Sequence, residues 1–91
     1  MGQKEKTIAQ IRQNPHIVTF AVLERVLGWY QFDKRSGKGS HNIFKRQTPS
    51  QTLRLTIVKP HGGRKYVSAE AVAEVLRAIE ILETQGLGTL D

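Results

Sequence analysis

A strictly alternating stretch near the middle of the chain places the strongest limit on its fold. Between residues 52 and 58, Leu53, Leu55 and Ile57 alternate with polar side chains. Successive side chains of a β-strand point to opposite faces, so this pattern predicts a strand with one buried and one wet face. The chain therefore needs a sheet whose apolar side is covered by other elements.

Two more strands are predicted before this one. Tyr30 and Phe32 alternate with polar neighbours, which predicts a first strand over residues 29–33. A glycine-bearing turn follows, and residues 40–46 then predict a second strand. Short connections between successive strands favour an antiparallel meander.

Helices are predicted on both sides of the strands. Apolar residues at helical spacing follow Thr19 and Ser68, and each of these two residues is a plausible N-cap. Gly28 is expected to end the helix that follows Thr19. A shorter helix is predicted over residues 3–12, before an Asn-Pro pair.

These elements predict an α+β fold of the order α-β-β-β-α, with both main helices on one face of a three-stranded antiparallel sheet. The length of 91 residues suits one domain. We expect that domain over residues 19–85, preceded by a helical extension over residues 1–18 and followed by a tail over residues 86–91.

Charge is unevenly distributed along the chain. The net charge is +6, and residues 34–65 contain nine cationic side chains and no Asp or Glu. By contrast, residues 69–83 carry four Glu and one Arg. The middle third is therefore expected to bind a polyanion while the last helix avoids one.

Other features narrow the compartment and the kind of site. The chain has no Cys, which fits a reducing compartment and excludes a thiolate metal site. It also lacks an apolar run of the ~18 residues that a membrane span needs, and its first residues lack a secretory signal. We expect a soluble cytoplasmic protein with no cofactor, no metal and no membrane partner.

Of the three histidines, His41 has the surroundings that suggest chemistry. It lies within KRSGKGSHNIFKR, residues 34–46, which hold five cations and two glycines. An imidazole has an ordinary pKa near ~6.5 and can give or take a proton at cellular pH. A solvated hairpin tip is the alternative interpretation. His16 has no polar neighbours in the sequence that suggest chemistry. His61 has three possible roles: a second proton-transfer group, a hydrogen-bond donor to phosphate, or a loop residue without a function.

Cleavage of RNA by its own 2′-hydroxyl needs only these parts, because the substrate supplies the nucleophile. The protein adds a proton-transfer group, for which His41 is the candidate, and positive charge for the transition state. A two-metal nuclease would need clustered carboxylates, which residues 34–65 lack.

Strand parity decides where His41 points. If Phe44 faces the core, Ser40 and Asn42 share its side, while His41 and Lys45 face outward and Ile43 is exposed. The opposite parity would bury His41 and favour a structural role.

The sequence Gly39-Ser40-His41 followed by an apolar strand, with the later pair Pro60-His61, resembles the HicA family of toxin ribonucleases from toxin–antitoxin systems. The resemblance extends from about Phe20 to Leu82. It implies a double-stranded-RNA-binding-domain-like fold, metal-independent cleavage of mRNA with His41 as the catalytic residue, and inhibition by a HicB-type antitoxin that covers His41.

The predicted site thus has one catalytic residue, His41, and a set of RNA-binding residues around it. These are Lys34, Arg35, Lys38, Gly39, Ser40, Lys45, Arg46, Lys59, His61, Arg64 and Lys65.

Three features depart from the resemblance. The first 18 residues extend beyond the usual form, and the spacer from Gly62 to Val67 is longer and more basic than in many relatives. The last helix is acidic, whereas a duplex-RNA binder would place lysines at its start. Single-stranded or unpaired mRNA is therefore the expected substrate. A non-catalytic RNA- or DNA-binding module and an inactive relative that acts only through protein partners are the alternatives.

Overall fold

The computed structural model describes residues 2–87 and contains three helices and one three-stranded sheet. The predicted α+β class is confirmed, while residues 88–91 of the predicted tail lie outside the described residues. The elements are α1 Gln3–Gln13, α2 Phe20–Trp29, β1 Asp33–Ser36, β2 His41–Gln47, β3 Thr52–Val58 and α3 Ala69–Thr84.

The sheet is an antiparallel meander with the strand order β1-β2-β3. Phe44 of β2 pairs with Leu55 of β3, and both side chains are buried together with Leu53 and Ile57. The helices cover this face: the rings of Phe20 and Phe44 have centroids 6.3 Å apart. The alternation in β3 therefore has the expected cause, which is a sheet with one covered face.

Both main helices begin at the predicted caps. The Thr19 side chain accepts a hydrogen bond from the Val22 N–H at 3.3 Å. The Ser68 side chain accepts one from the Ala71 N–H at 3.1 Å. Each cap satisfies one of the N–H groups that the first turn of a helix leaves without a partner.

Helix α1 packs on the rest of the protein. Ile8 and Ile11 are buried within the same apolar cluster as the sheet and the other helices. Arg12 Nη1 also lies 4.0 Å from Glu80 Oε2 on α3. The N-terminal extension is thus part of the core, although its stripe contains only two large apolar side chains.

The predicted strand over residues 29–33 is wrong. Trp29 is the last residue of α2, Gly28 lies inside that helix, and β1 begins only at Asp33. Tyr30 and Phe32 are buried because a turn directs them into the core. Their alternating pattern therefore arises from a helix end and not from a strand.

The turn that ends α2 uses a residue that seldom occupies such a position. Gln31 adopts a φ of 63°, its N–H donates to Gly28 O at 3.0 Å, and the Phe32 N–H donates to Leu27 O at 3.0 Å. This is a Schellman motif, whose left-handed residue is usually glycine. Helix α3 ends in the same motif with Gly86 at a φ of 74°.

None of the helices described within residues 2–87 is long and apolar enough to cross a membrane.

Replacement of Gln31 by glycine is expected to stabilise the protein. A left-handed conformation costs a residue with a side chain roughly 1–2 kcal/mol, and the greater entropy of glycine in the unfolded chain offsets part of the gain. We expect Gln31→Gly to raise the free energy of unfolding by about 0.5–1 kcal/mol in urea denaturation.

Gly86→Ala is the matched control, because it introduces the same strain at the end of α3. It should lower the free energy of unfolding. Destabilisation by Gln31→Gly would contradict the assignment of backbone strain at residue 31.

Candidate nucleic-acid interface

The face of the sheet that the helices leave uncovered carries a regular array of polar side chains. Directly paired residues of antiparallel strands point to the same face, so the register defines four rows. They are His41 with Val58, Ile43 with Arg35 and Thr56, Lys45 with Asp33 and Arg54, and Gln47 with Thr52. We call this surface the open face. Its residues are Asp33, Arg35, His41, Ile43, Lys45, Gln47, Thr52, Arg54, Thr56 and Val58.

His41 points outward from the first row of the open face. Its side chain is exposed, whereas the neighbouring Asn42 and Phe44 are buried. The parity that places Phe44 in the core is therefore the correct one. Asn42 is tolerated there because its Nδ2 donates a hydrogen bond to Ser40 O at 3.1 Å. Ile43 is half-buried, although it shares the outward side.

Backbone hydrogen bonds fix the hairpin tip that carries His41. The Gly37 N–H donates to His41 O at 2.8 Å, and the His41 N–H donates to Lys38 O at 3.2 Å. The Lys59 N–H donates to Ser40 O at 2.8 Å. Gly39 reverses the chain at a φ of 61°. The backbone of His41 is thus held from both sides, by β1 and by the end of β3.

Gly37 approaches His41 closely on the β1 side. A Cβ atom at residue 37 would lie 3.0 Å from His41 O and 3.6 Å from His41 Cβ. The first distance is shorter than most contacts of a Cβ atom, so a side chain would require the His41 backbone to shift by a few tenths of an ångström. Glycine at this position keeps the strands close and leaves the surface beside the imidazole bare.

Arg35 is the cation of the open face nearest to His41 by strand register. It pairs with Ile43 and is therefore diagonal to His41, at a separation of roughly 7–8 Å that a long side chain can span. Lys38 lies in the adjacent hairpin tip and is exposed. Within residues 2–87, no side chain forms a hydrogen bond with the imidazole of His41.

Three of the predicted RNA-binding cations are placed away from His41. Lys34 lies on the helical side, where it forms an ion pair with Glu24. Arg46 also points to the helices, and its Nη1 donates to the carbonyl oxygens of Tyr30 at 2.8 Å and Leu87 at 3.3 Å.

The third is Lys45, which lies on the open face directly opposite Asp33. It is four residues along β2 from His41, or roughly 13 Å. The carboxylate of Asp33 partly cancels the positive charge at that end of the face.

Three more of the predicted residues, Lys59, His61 and Arg64, follow β3 and line a groove next to Val58, which pairs with His41. The groove has a volume of about 490 Å³ and contains three basic or imidazole side chains and no Asp or Glu. We call it the basic groove. Lys65 is exposed in the same segment but does not line it. The lining residues are Val58, Lys59, Pro60, His61, Gly62, Arg64, Tyr66, Val67 and Ser68.

Sequence reasoning left Arg54, Thr56, Val58 and Tyr66 out of the site. The alternation in β3 could have placed the first three on the same face as His41, because strand parity is local. Tyr66 follows two cations directly, in GRKYV, and an aromatic residue among cations is a common feature of nucleic-acid-binding surfaces.

The described residues contain no group of three or more His, Asp or Glu side chains that could hold a metal ion. Comparisons with known proteins identify no relative: no protein-family model, no curated protein and no solved structure matches the chain.

Arg46 is expected to be a structural residue. Replacement by methionine keeps the length of the side chain but leaves the carbonyls of Tyr30 and Leu87 without their donor. Because a hydrogen bond from a charged group contributes about 1–3 kcal/mol, Arg46→Met should lower the free energy of unfolding by that amount.

Arg54→Met is the matched control, since Arg54 is an exposed arginine on the neighbouring strand. It should change the free energy of unfolding by less than about 0.5 kcal/mol. Equal stability of the two variants in urea denaturation would contradict the structural role of Arg46.

Proposed function

We propose that this protein is a metal-independent endoribonuclease that cleaves mRNA with His41 as its catalytic side chain, and that it is the toxin of a HicA/HicB-type toxin–antitoxin system. The observation that carries the proposal is the position of His41. Its imidazole is exposed at the end of the uncovered sheet face, on a backbone fixed by hydrogen bonds, with Arg35 diagonal to it and Lys38 in the same hairpin tip.

The proposed reaction requires little from the protein. The 2′-oxygen of one nucleotide attacks the adjacent phosphorus, and the bond from phosphorus to the 5′-oxygen of the next nucleotide breaks. The products are a 2′,3′-cyclic phosphate and a 5′-hydroxyl. One proton leaves the 2′-oxygen and one is added to the 5′-oxygen, and His41 transfers one of these protons while water transfers the other.

Negative charge develops on the phosphate oxygens in the transition state. Arg35 is within reach of a phosphate beside His41, because it occupies the diagonal position on β1. Lys38 is exposed in the hairpin tip, and its carbonyl oxygen accepts a hydrogen bond from the His41 N–H. A guanidinium suits this task because its donors form a planar fork that matches two phosphate oxygens.

The charge of the whole molecule would orient the RNA on the same side. Four Glu side chains of α3 are exposed on the helical side of the sheet, at residues 70, 74, 80 and 83. Arg35, Lys45 and Arg54 lie on the open face, Lys38 in the hairpin tip and Arg64 in the basic groove. None of these five side chains forms an ion pair or a side-chain hydrogen bond among the described residues. A polyanion is therefore repelled from one side and attracted to the other.

A HicB-type antitoxin is the proposed partner in the cytoplasm. Val58 is 47% exposed and pairs with His41 across the strands. Half-buried Ile43 lies in the next row. These two side chains offer apolar contact area immediately beside the imidazole, so a protein that covers them would also cover His41.

A non-catalytic RNA-binding module is the second candidate, and one observation favours it. A catalytic histidine is usually oriented by a hydrogen bond to its second ring nitrogen, and none is present among the described residues. In this case the same surface would bind RNA without cleaving it.

Replacement of His41 separates the two candidates. Wild-type protein should cut a single-stranded RNA oligonucleotide in the presence of EDTA, and His41→Ala should reduce the rate about 10²- to 10⁴-fold, the usual contribution of a proton-transfer group. The same variant should no longer arrest growth when expressed. Gel analysis of the products should detect a cyclic phosphate.

His16→Ala is the control, since His16 is exposed in the connector between α1 and α2 and far along the chain from the hairpin tip. It should cut at the wild-type rate. An oligonucleotide with deoxyribose at the cut position should bind but resist cleavage. Undiminished cutting by folded His41→Ala would falsify the catalytic assignment.

A second prediction concerns charge at the transition state. Arg35→Ala should lower the rate of cleavage at saturating RNA by about 10- to 100-fold, because it removes a donor to the developing negative charge. Arg54→Ala removes an equal charge from the same face two rows away from His41. It should weaken RNA binding but leave the saturated rate nearly unchanged. Equal effects on that rate would contradict the special position of Arg35.

A further inference from the structure

The basic groove lies beside the proposed catalytic histidine and holds an exposed aromatic ring. We propose that this groove binds one unpaired nucleotide of the RNA, with its base stacked on Tyr66 and its phosphates beside Lys59 and Arg64. The inference rests on the proposed function and specifies the substrate further, as RNA that is single-stranded next to the cut.

Tyr66 is one of the few large apolar side chains that the fold leaves exposed, at 43% of its surface. Its backbone is nevertheless fixed. Tyr66 forms an isolated β-bridge with Thr19, and the N–H of the next residue, Val67, donates to Val18 O at 2.9 Å. The side chain of Val67 is buried. The ring is therefore presented from an ordered segment, so that little conformational freedom is lost when a base stacks on it.

The size and charge of the groove suit a nucleotide. Its volume of about 490 Å³ falls within the range of roughly 300–1,000 Å³ that is usual for small-ligand sites. Lys59, His61 and Arg64 line it without any acidic side chain. An aromatic ring combined with cations is the arrangement by which proteins bind single strands, with the base on the ring and the backbone along the charges.

A paired base would not fit this arrangement. In duplex RNA the faces of the bases are stacked on each other, so a protein ring can contact a base face only where the strand is unpaired. Ser68, the N-cap of α3, lines the groove, and Glu70 lies in the first turn of that helix. A duplex laid across this helix end would meet that carboxylate.

The groove adjoins the strand end that carries His41, although His41 does not line it. Val58 lines the groove and pairs directly with His41. Lys59 also lines it, and its N–H donates to the carbonyl of Ser40, the residue before His41. A nucleotide on Tyr66 would therefore be a close neighbour of the phosphate that His41 acts on, and would hold that phosphate in place.

The test uses a single-stranded RNA oligonucleotide whose cut position in wild-type protein has been mapped. Bases around the cut are replaced one at a time by an abasic nucleotide, and affinity is measured with the full-length His41→Ala protein, which keeps the RNA intact. One position near the cut should lose about 5- to 150-fold in affinity, the effect of one base–aromatic stack. When Tyr66→Ala or Tyr66→Leu is added to the His41→Ala protein, the abasic RNA and the complete RNA should bind with equal affinity.

Tyr66→Phe is the matched control and should retain the dependence on that base, because it keeps the ring. Ile17→Ala removes another exposed apolar side chain that does not line the groove and should also retain it. If the RNA is bound and cut, but no abasic replacement causes a loss of affinity that depends on Tyr66, the groove assignment alone is overturned. Absence of both RNA binding and cutting would overturn the proposed function as well.

Discussion

The one-sided cover of the sheet is the constraint on which the rest of the structure depends. Burial of a Leu, Ile or Phe side chain contributes about 1.5–3 kcal/mol, and Leu53, Leu55, Ile57 and Phe44 all point to the same face. A slip of β3 by one residue against β2 would turn Leu53, Leu55 and Ile57 to the open face and Arg54 toward the core, while Phe44 stayed buried. The core therefore fixes the register, and the register in turn fixes His41 on the open face.

The same constraint divides the cations into two groups with different tasks. Cations on the helical side are used within the protein: Lys34 pairs with Glu24, and Arg46 joins the ends of α2 and α3 through two backbone carbonyls. Among the cations near the hairpin tip and after β3, the Lys59 Nζ lies 5.7 Å from the centroid of the Phe20 ring. Lys38, Arg64 and Lys65 form no ion pair or side-chain hydrogen bond among the described residues. The nine cations of residues 34–65 are thus divided between contacts within the protein and exposed surface.

Much of the fold could be predicted from the sequence, because the relevant signals are local. The bounds of β3 followed from alternation, and the starts of α2 and α3 followed from the hydroxyl groups of Thr19 and Ser68. The end of α2 could not be predicted, since Gln31 takes a conformation for which glycine is the usual signal.

Part of the candidate site could also be predicted from the sequence, and part of it could not. Parity alone placed His41 outward once Phe44 was assigned to the core. The structural use of Arg46 could not be predicted, because its acceptors, Tyr30 and Leu87, are 16 and 41 residues away along the chain. The basic groove likewise forms only where the end of β3 meets the segment bridged to Thr19.

No described residue forms a hydrogen bond with the imidazole of His41, and this gives the groove a further role. A histidine on an exposed strand end can rotate among several side-chain conformations, so the protein by itself does not aim the ring at a phosphate. If a base on Tyr66 and a phosphate beside Arg35 hold the RNA at two points on either side of His41, the intervening phosphate is restricted to a small volume next to the ring. Orientation would then come from the bound strand, and catalysis would depend on RNA flexible enough to reach both points.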